Sequence, residues 1–258
     1  MKKLLVMVMS VMLVLSLNST FVFAADESID SVDELKRQIS ERMKDGDFSA
    51  SEKEYLKVNT DDKILALLVS EKLDDAVDVL NNKETTIMEE KADGTLYSEE
   101  TYDLGDGCSL IVELSDVSEN SNSFVSPLAT SGSSELWKEY GNRYFTAKAT
   151  VDLKISSVTL ILENHYELSA NGIDENYGSA DYLRTNSKAR VTKKEPVIGD
   201  QIARTPGASD VNIYCVYTIT PADSSSKEYK LNTTVKYLAI DKSNKKIKVG
   251  HSWKLTKI

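Results

Sequence analysis

The chain has 258 residues, a formal net charge of −10, 28% charged and 41% hydrophobic residues, two Cys and two His. That apolar fraction excludes wholesale disorder and suffices for one or two domains with a real core. Net acidity disfavours nonspecific binding to nucleic acid or anionic membrane, and so few His and Cys leave little material for a nitrogen–sulfur metal site.

Residues 1–24 read as a secretory signal peptide. Lys2 and Lys3 form a basic start, residues 4–17 are apolar apart from Ser10 and Ser16, and Val22-Phe23-Ala24 offers a cleavage site after Ala24. The apolar run is shorter than the ~20 residues a bilayer crossing needs. The expected product is secreted and extracellular, with no stable membrane insertion after cleavage and 234 residues remaining. Its charge is uneven. Residues 26–123 hold 27 acids and 10 bases, a net of −17, while residues 124–258 hold 14 acids and 19 bases, a net of +5.

Residues 25–83 read as an acidic helical segment. Ser31-Val32-Asp33-Glu34 has capping-box spacing, and Val32, Leu35, Ile39 and Met43 form one helical stripe. A short helix is expected after Ser49 or Ser51. Thr60-Asp61-Asp62 opens the strongest helix, with Leu65, Leu68, Val69, Leu73, Ala76, Val77 and Leu80 on its apolar face and Asn81-Asn82 ending it. Such a small bundle buries too little area to stand alone. It is expected to lean on the next domain or to move freely.

From residue 84 to 258 the period changes from 3.6 to 2, predicting an antiparallel sandwich or barrel-like β domain. Asp93-Gly94 and Asp106-Gly107 are hairpin signals, and Cys108, Leu110, Val112 and Leu114 alternate after them. Residues 116–134, rich in Ser and Asn, read as a loop excursion. Phe145, Ala147, Ala149, Val151, Leu153 and Ile155 then share one face of a long strand whose other face is polar. Further alternating runs centre on residues 158–168, 211–219, 229–239 and 247–255, with Asn171-Gly172 and residues 242–245 as turns. Cys108 and Cys215 both lie on apolar phases of an exported chain. They are therefore candidates for a disulfide that would place strand 108–114 in the β domain.

Catalytic signatures are missing. His165 falls on the polar phase of its strand and is expected to be exposed. His251 shares a phase with Val249 and Trp253 and is expected to be hydrogen-bonded and partly buried. No nucleophile-elbow, zinc-protease, phosphate-loop or dinucleotide motif occurs. Asp103, Asp106, Asp174 and Glu175 read as turn residues lacking calcium-loop spacing. No catalytic residue, metal ligand or cofactor is assigned. The aromatic cluster Trp137, Tyr140, Arg143 and Tyr144 is the ligand-binding candidate. Such rings join flat apolar faces to polar tips, as protein or carbohydrate surfaces require.

The signal peptide, residues 103–112, the Ser-rich excursion and Tyr140-Gly141-Asn142-Arg143-Tyr144 opening a long strand resemble small β-rich proteins exported by Gram-positive bacteria. The likeness covers about residues 84–258 and implies location and β architecture only. The expected function is that of a non-enzymatic extracellular binding module, its partner a protein or carbohydrate surface and not nucleic acid. The alternatives are a secreted carboxylate-dependent hydrolase and an effector or immunity-type protein whose acidic helices mask a basic β domain.

Overall fold

A computed structural model describes residues 29–44, 48–81, 88–91, 94–119, 135–185, 190–221 and 225–258. The signal peptide and most of the Ser-rich excursion lie outside the described residues.

Three helices come first. Helix α1 (Val32–Met43) starts where the Ser31 side chain accepts the Glu34 amide. Helix α2 (Ala50–Asn59) carries a full capping box between Ser49 and Glu52. Helix α3 (Asp62–Asn81) turns Leu65, Leu68, Val69, Leu73, Ala76 and Val77 into the core. Helices α1 and α3 match the periodicity of the sequence, each with an apolar stripe that supplies the packing energy, and α2 starts after Ser49 as expected but buries only Leu56.

The β region forms two antiparallel sheets. The first runs β1 (Glu89–Glu90), β2 (Leu96–Asp103), β3 (Ser109–Ser118), β5 (Gly141–Asp152), β6 (Ser157–Ser169), β7 (Gly172–Thr185) and β10 (Ile202–Ala203) in space. The second runs β4 (Glu135–Glu139), β13 (Lys246–Lys257), β12 (Lys227–Asp241), β11 (Ser209–Thr220) and β8 (Arg190–Lys193), with β9 (Val197–Ile198) also on β11. The sheets pack face to face as an open sandwich. Phe145 and Tyr166 of the first meet His251 of the second, and the Tyr217 hydroxyl donates to the Ile161 carbonyl. Alternation explains the burial: Phe145, Ala147, Ala149 and Val151 are sealed, while Tyr144, Thr146, Lys148 and Thr150 are not.

The helices belong to the same core. Helix α3 packs against β5 and β13, across one end of the sandwich. There Asp74 accepts from Lys227 (2.8 Å) and Lys257 (2.9 Å), and the Tyr229 hydroxyl lies 2.8 Å from its Oδ1. Burial works against the Asp74 charge, but these partners outweigh it and hold the carboxyl below its ordinary range. Lys72, itself buried, donates to the Leu104 carbonyl and pairs with Asp106 and Asp75. The helical segment leans on the β domain and completes its core.

Three expectations are corrected. Cys108 and Cys215 are both buried and both free. Cys108 precedes β3, whereas Cys215 lies on β11, which packs on β6 and β7. Two strand spacings, ~10 Å, separate β3 from β6, beyond the reach of a disulfide. Residues 116–118, read as loop, continue β3, and Asp116 faces the core. His165 is covered rather than exposed, because two tyrosines close over it.

Candidate functional site

The sequence-predicted aromatic cluster does not converge. Trp137 is on β4 and Tyr144 on β5, and the chain switches sheets between them at Gly141, whose φ of 137° favours a residue without a side chain. Trp137 therefore projects, 45% exposed, from the second sheet. Tyr140 is half-buried against the core, and Arg143 points between the sheets. Only Tyr144 reaches the outer face of the first sheet.

That outer face carries a different aromatic row. Tyr144 pairs across strands with His165, and His165 with Tyr177. Tyr144 meets the His165 ring edge-on, with centroids 4.3 Å apart. Tyr177 stacks on His165 at 3.9 Å with 27° between planes, yet remains 55% exposed. His165 Nε2 lies 2.6 Å from Glu163 Oε1, and Thr146 and Ser179 also donate to Glu163. On the other flank Asn142 donates to Glu119 (2.7 Å) and lies beside Asn176.

A β-bulge builds this row. Tyr166 pairs with Glu175 and His165 with Tyr177, so Asn176 is the extra residue. In an unbroken strand Ile173, Glu175 and Tyr177 would share one face. The bulge reverses the phase, keeping Ile173 and Glu175 inside and sending Tyr177 out. Gly178 follows, where an added Cβ would lie 1.8 Å from Ile213 Cδ1, so a side chain there would force the Ile213 terminus on β11 to move.

Beneath the row is a buried polar layer. Asp116 accepts from Arg143 Nε at 3.1 Å and lies 3.1 Å from His251 Nε2, which is also 3.2 Å from the Tyr166 hydroxyl. Burial opposes the Asp116 charge, but Arg143 and then His251 outweigh it and hold the carboxyl well below the carboxylate range. His251 is thus hydrogen-bonded, as its strand phase predicts, and more deeply buried. Arg143 and Glu175 flank Tyr166 in one cross-strand row. Lys138 of β4 pairs with Glu90 at 2.8 Å and ties the edges of the two sheets.

The four acids read as turn residues have separate fates. Asp103 caps the amide of Gly105, Asp106 pairs with Lys72, Asp174 pairs with Arg204, and Glu175 is buried. Among the described residues no three His, Cys, Asp or Glu side chains gather as metal ligands, and no helix is long and apolar enough to cross a membrane. No protein-family model, curated protein or solved structure matches the chain.

Proposed function

We propose that the chain is a secreted, non-enzymatic binding module that engages its ligand on the outer face of the seven-stranded sheet. The observation that carries this reading is the exposed Tyr177 ring, braced on His165 and Tyr144 and turned outward by a bulge. A braced aromatic ring with one face open to water is a ready stacking surface for a ligand. The signal-like residues 1–24 support export.

Two observations favour binding over the alternatives. A carboxylate hydrolase needs two acids lining a cleft, whereas Asp116 and Glu175, the two inward-facing acids of the polar layer, are closed off from solvent. A removable mask needs its own core, whereas the helices share one continuous core with the sheets.

The test is a binding screen of the purified protein against immobilised glycans and extracellular-matrix proteins, run beside the Tyr144→Ala/Tyr177→Ala double variant. Binding that disappears in the variant at unchanged melting temperature supports the proposal. Binding that persists undiminished refutes it.

A further inference from the structure

The proposed binding face is small in apolar area and rich in hydroxyl, amide and carboxylate groups. One face of the Tyr177 ring is taken by His165, and its 55% exposure places the other in solvent. The brace makes it rigid, so little side-chain entropy is lost when a ligand stacks there. Around the ring stand Asn176 and Asn142 with Glu119 on one side, and Ser179, Thr146 and Glu163 on the other. No lysine or arginine is among them. Lys148, farther along β5 on the same face, is paired with Glu113.

This chemistry discriminates among ligands. A polymer carrying phosphate, sulfate or carboxylate would meet Glu119, Glu163 and the neighbouring Glu167, while Lys148 and Arg204, the cations flanking this face among the described residues, are already paired with Glu113 and Asp174. A protein partner needs an interface of roughly 1,200 Å² or more with an apolar core, and here a single ring is surrounded by polar groups. A sugar ring offers what the site lacks: a flat C–H face for the tyrosine and a rim of hydroxyl donors for the carboxylates and amide oxygens.

We propose that the Tyr144–His165–Tyr177 row is a binding site for an uncharged glycan chain. Tyr177 is the stacking platform, and Asn142, Asn176 and Glu119 are the partners of the sugar hydroxyls. This assignment rests on the outer-face reading given under Proposed function and narrows it to one ligand class. The bulge serves it twice, since the same extra residue turns the ring outward and places the Asn176 amide next to it.

The experiment is isothermal titration of the protein with cellohexaose, N-acetylated chitohexaose and mannohexaose as neutral probes, and with hexagalacturonate as the anionic one. Wild type is compared with Tyr177→Ala, Tyr177→Phe and Asn142→Ala. At least one neutral hexasaccharide is expected to bind, with affinity falling about tenfold or more in Tyr177→Ala and staying within about threefold in Tyr177→Phe, which keeps the platform. Asn142→Ala is expected to weaken binding by about threefold to tenfold. Failure of all three neutral probes, equal or tighter binding of hexagalacturonate, or indifference to Tyr177→Ala overturns the glycan assignment. Immobilised matrix proteins run in parallel separate the two proposals. Protein binding that vanishes in Tyr177→Ala while the sugars stay silent would overturn the glycan assignment and leave the binding face standing. A Tyr177→Ala variant unchanged toward every probe would remove both.

Discussion

Glu175 faces Tyr166 across the β6–β7 pair, and neither of its carboxyl oxygens has a hydrogen-bond partner among the described residues. The side chain is only 2% exposed, and burial pushes its carboxyl up to about 8. The Asn164 amide alongside tempers this shift without reaching normal hydrogen-bond geometry. In the folded chain the group is therefore protonated at neutral pH, whereas the unfolded chain ionises it above about 4.5. A folded value above the unfolded one means that an acid costs stability as pH rises between the two. Stability is expected to fall by several kcal/mol, on the order of 3–5, between pH 4.5 and 8 from this group alone. Glu175→Gln should remove that slope and stabilise the protein at about pH 8 while leaving it unchanged at about pH 4. Denaturant midpoints of the two proteins at both pH values decide it, and parallel curves would count against a neutral buried carboxyl.

Asp116 has the opposite sign. Its folded carboxyl is held below its unfolded value by Arg143 and His251, so its stabilisation is present above the ordinary aspartate range and is lost as pH falls through the folded value. Removing one partner leaves the other charge stranded in the core. Asp116→Asn and Arg143→Met should each cost about 3–5 kcal/mol in urea unfolding. The double variant should recover part of that loss, because the Arg143 guanidinium is then no longer stranded without Asp116, nor Asp116 without Arg143.

Gly178 is a packing constraint. A Cβ there would lie 1.8 Å from Ile213 Cδ1 and 3.1 Å from the Glu163 carbonyl oxygen. Gly178→Ala should destabilise by about 1–3 kcal/mol. Adding Ile213→Val deletes the nearest clashing atom and should restore part of the loss. A double variant no better than Gly178→Ala alone would place the strain elsewhere.

The two thiols are expected to resist iodoacetamide in the native protein. Both are buried, and desolvation pushes Cys108 up to about 12 and raises Cys215 as well. In denaturant without reductant both should alkylate. Mass spectrometry that finds two unmodified, mutually linked cysteines after that step would contradict the free-thiol arrangement.

The regular part of this fold is legible in the residues. Alternation from Phe145 onward marks β5, and the caps at Ser31 and Ser49 mark the helix starts. The proposed site is legible only in Tyr144. Strand β7 is hidden because Asp174, Glu175, Asn176, Gly178, Ser179 and Asp181 have turn composition, and only pairing with β6 makes them a strand. Tyr177 is hidden further by the bulge, since period-2 counting from Ile173 points it inward. Asp116 looks like the start of a loop because a charged residue in a Ser-rich run gives no sign of the arginine that will neutralise it 27 residues later. Trp137 and Tyr144 look like neighbours because sequence distance does not reveal that Gly141 carries the chain from one sheet to the other.

The placement of α3 has a consequence for the order in which the molecule can be made. Its apolar face is covered by β5 and β13, and Asp74 is gripped by Lys227 and Lys257, the latter 183 residues downstream. A helix leaving the ribosome can rest on α1 and later on β5, but the rest of its face stays bare until β13 exists. Folding therefore cannot run from the first residues to the last; it must wait for late strands to close over an early helix. On the export route proposed above, such a chain would stay unfinished while being threaded through a membrane, and would set into its final shape only on the far side.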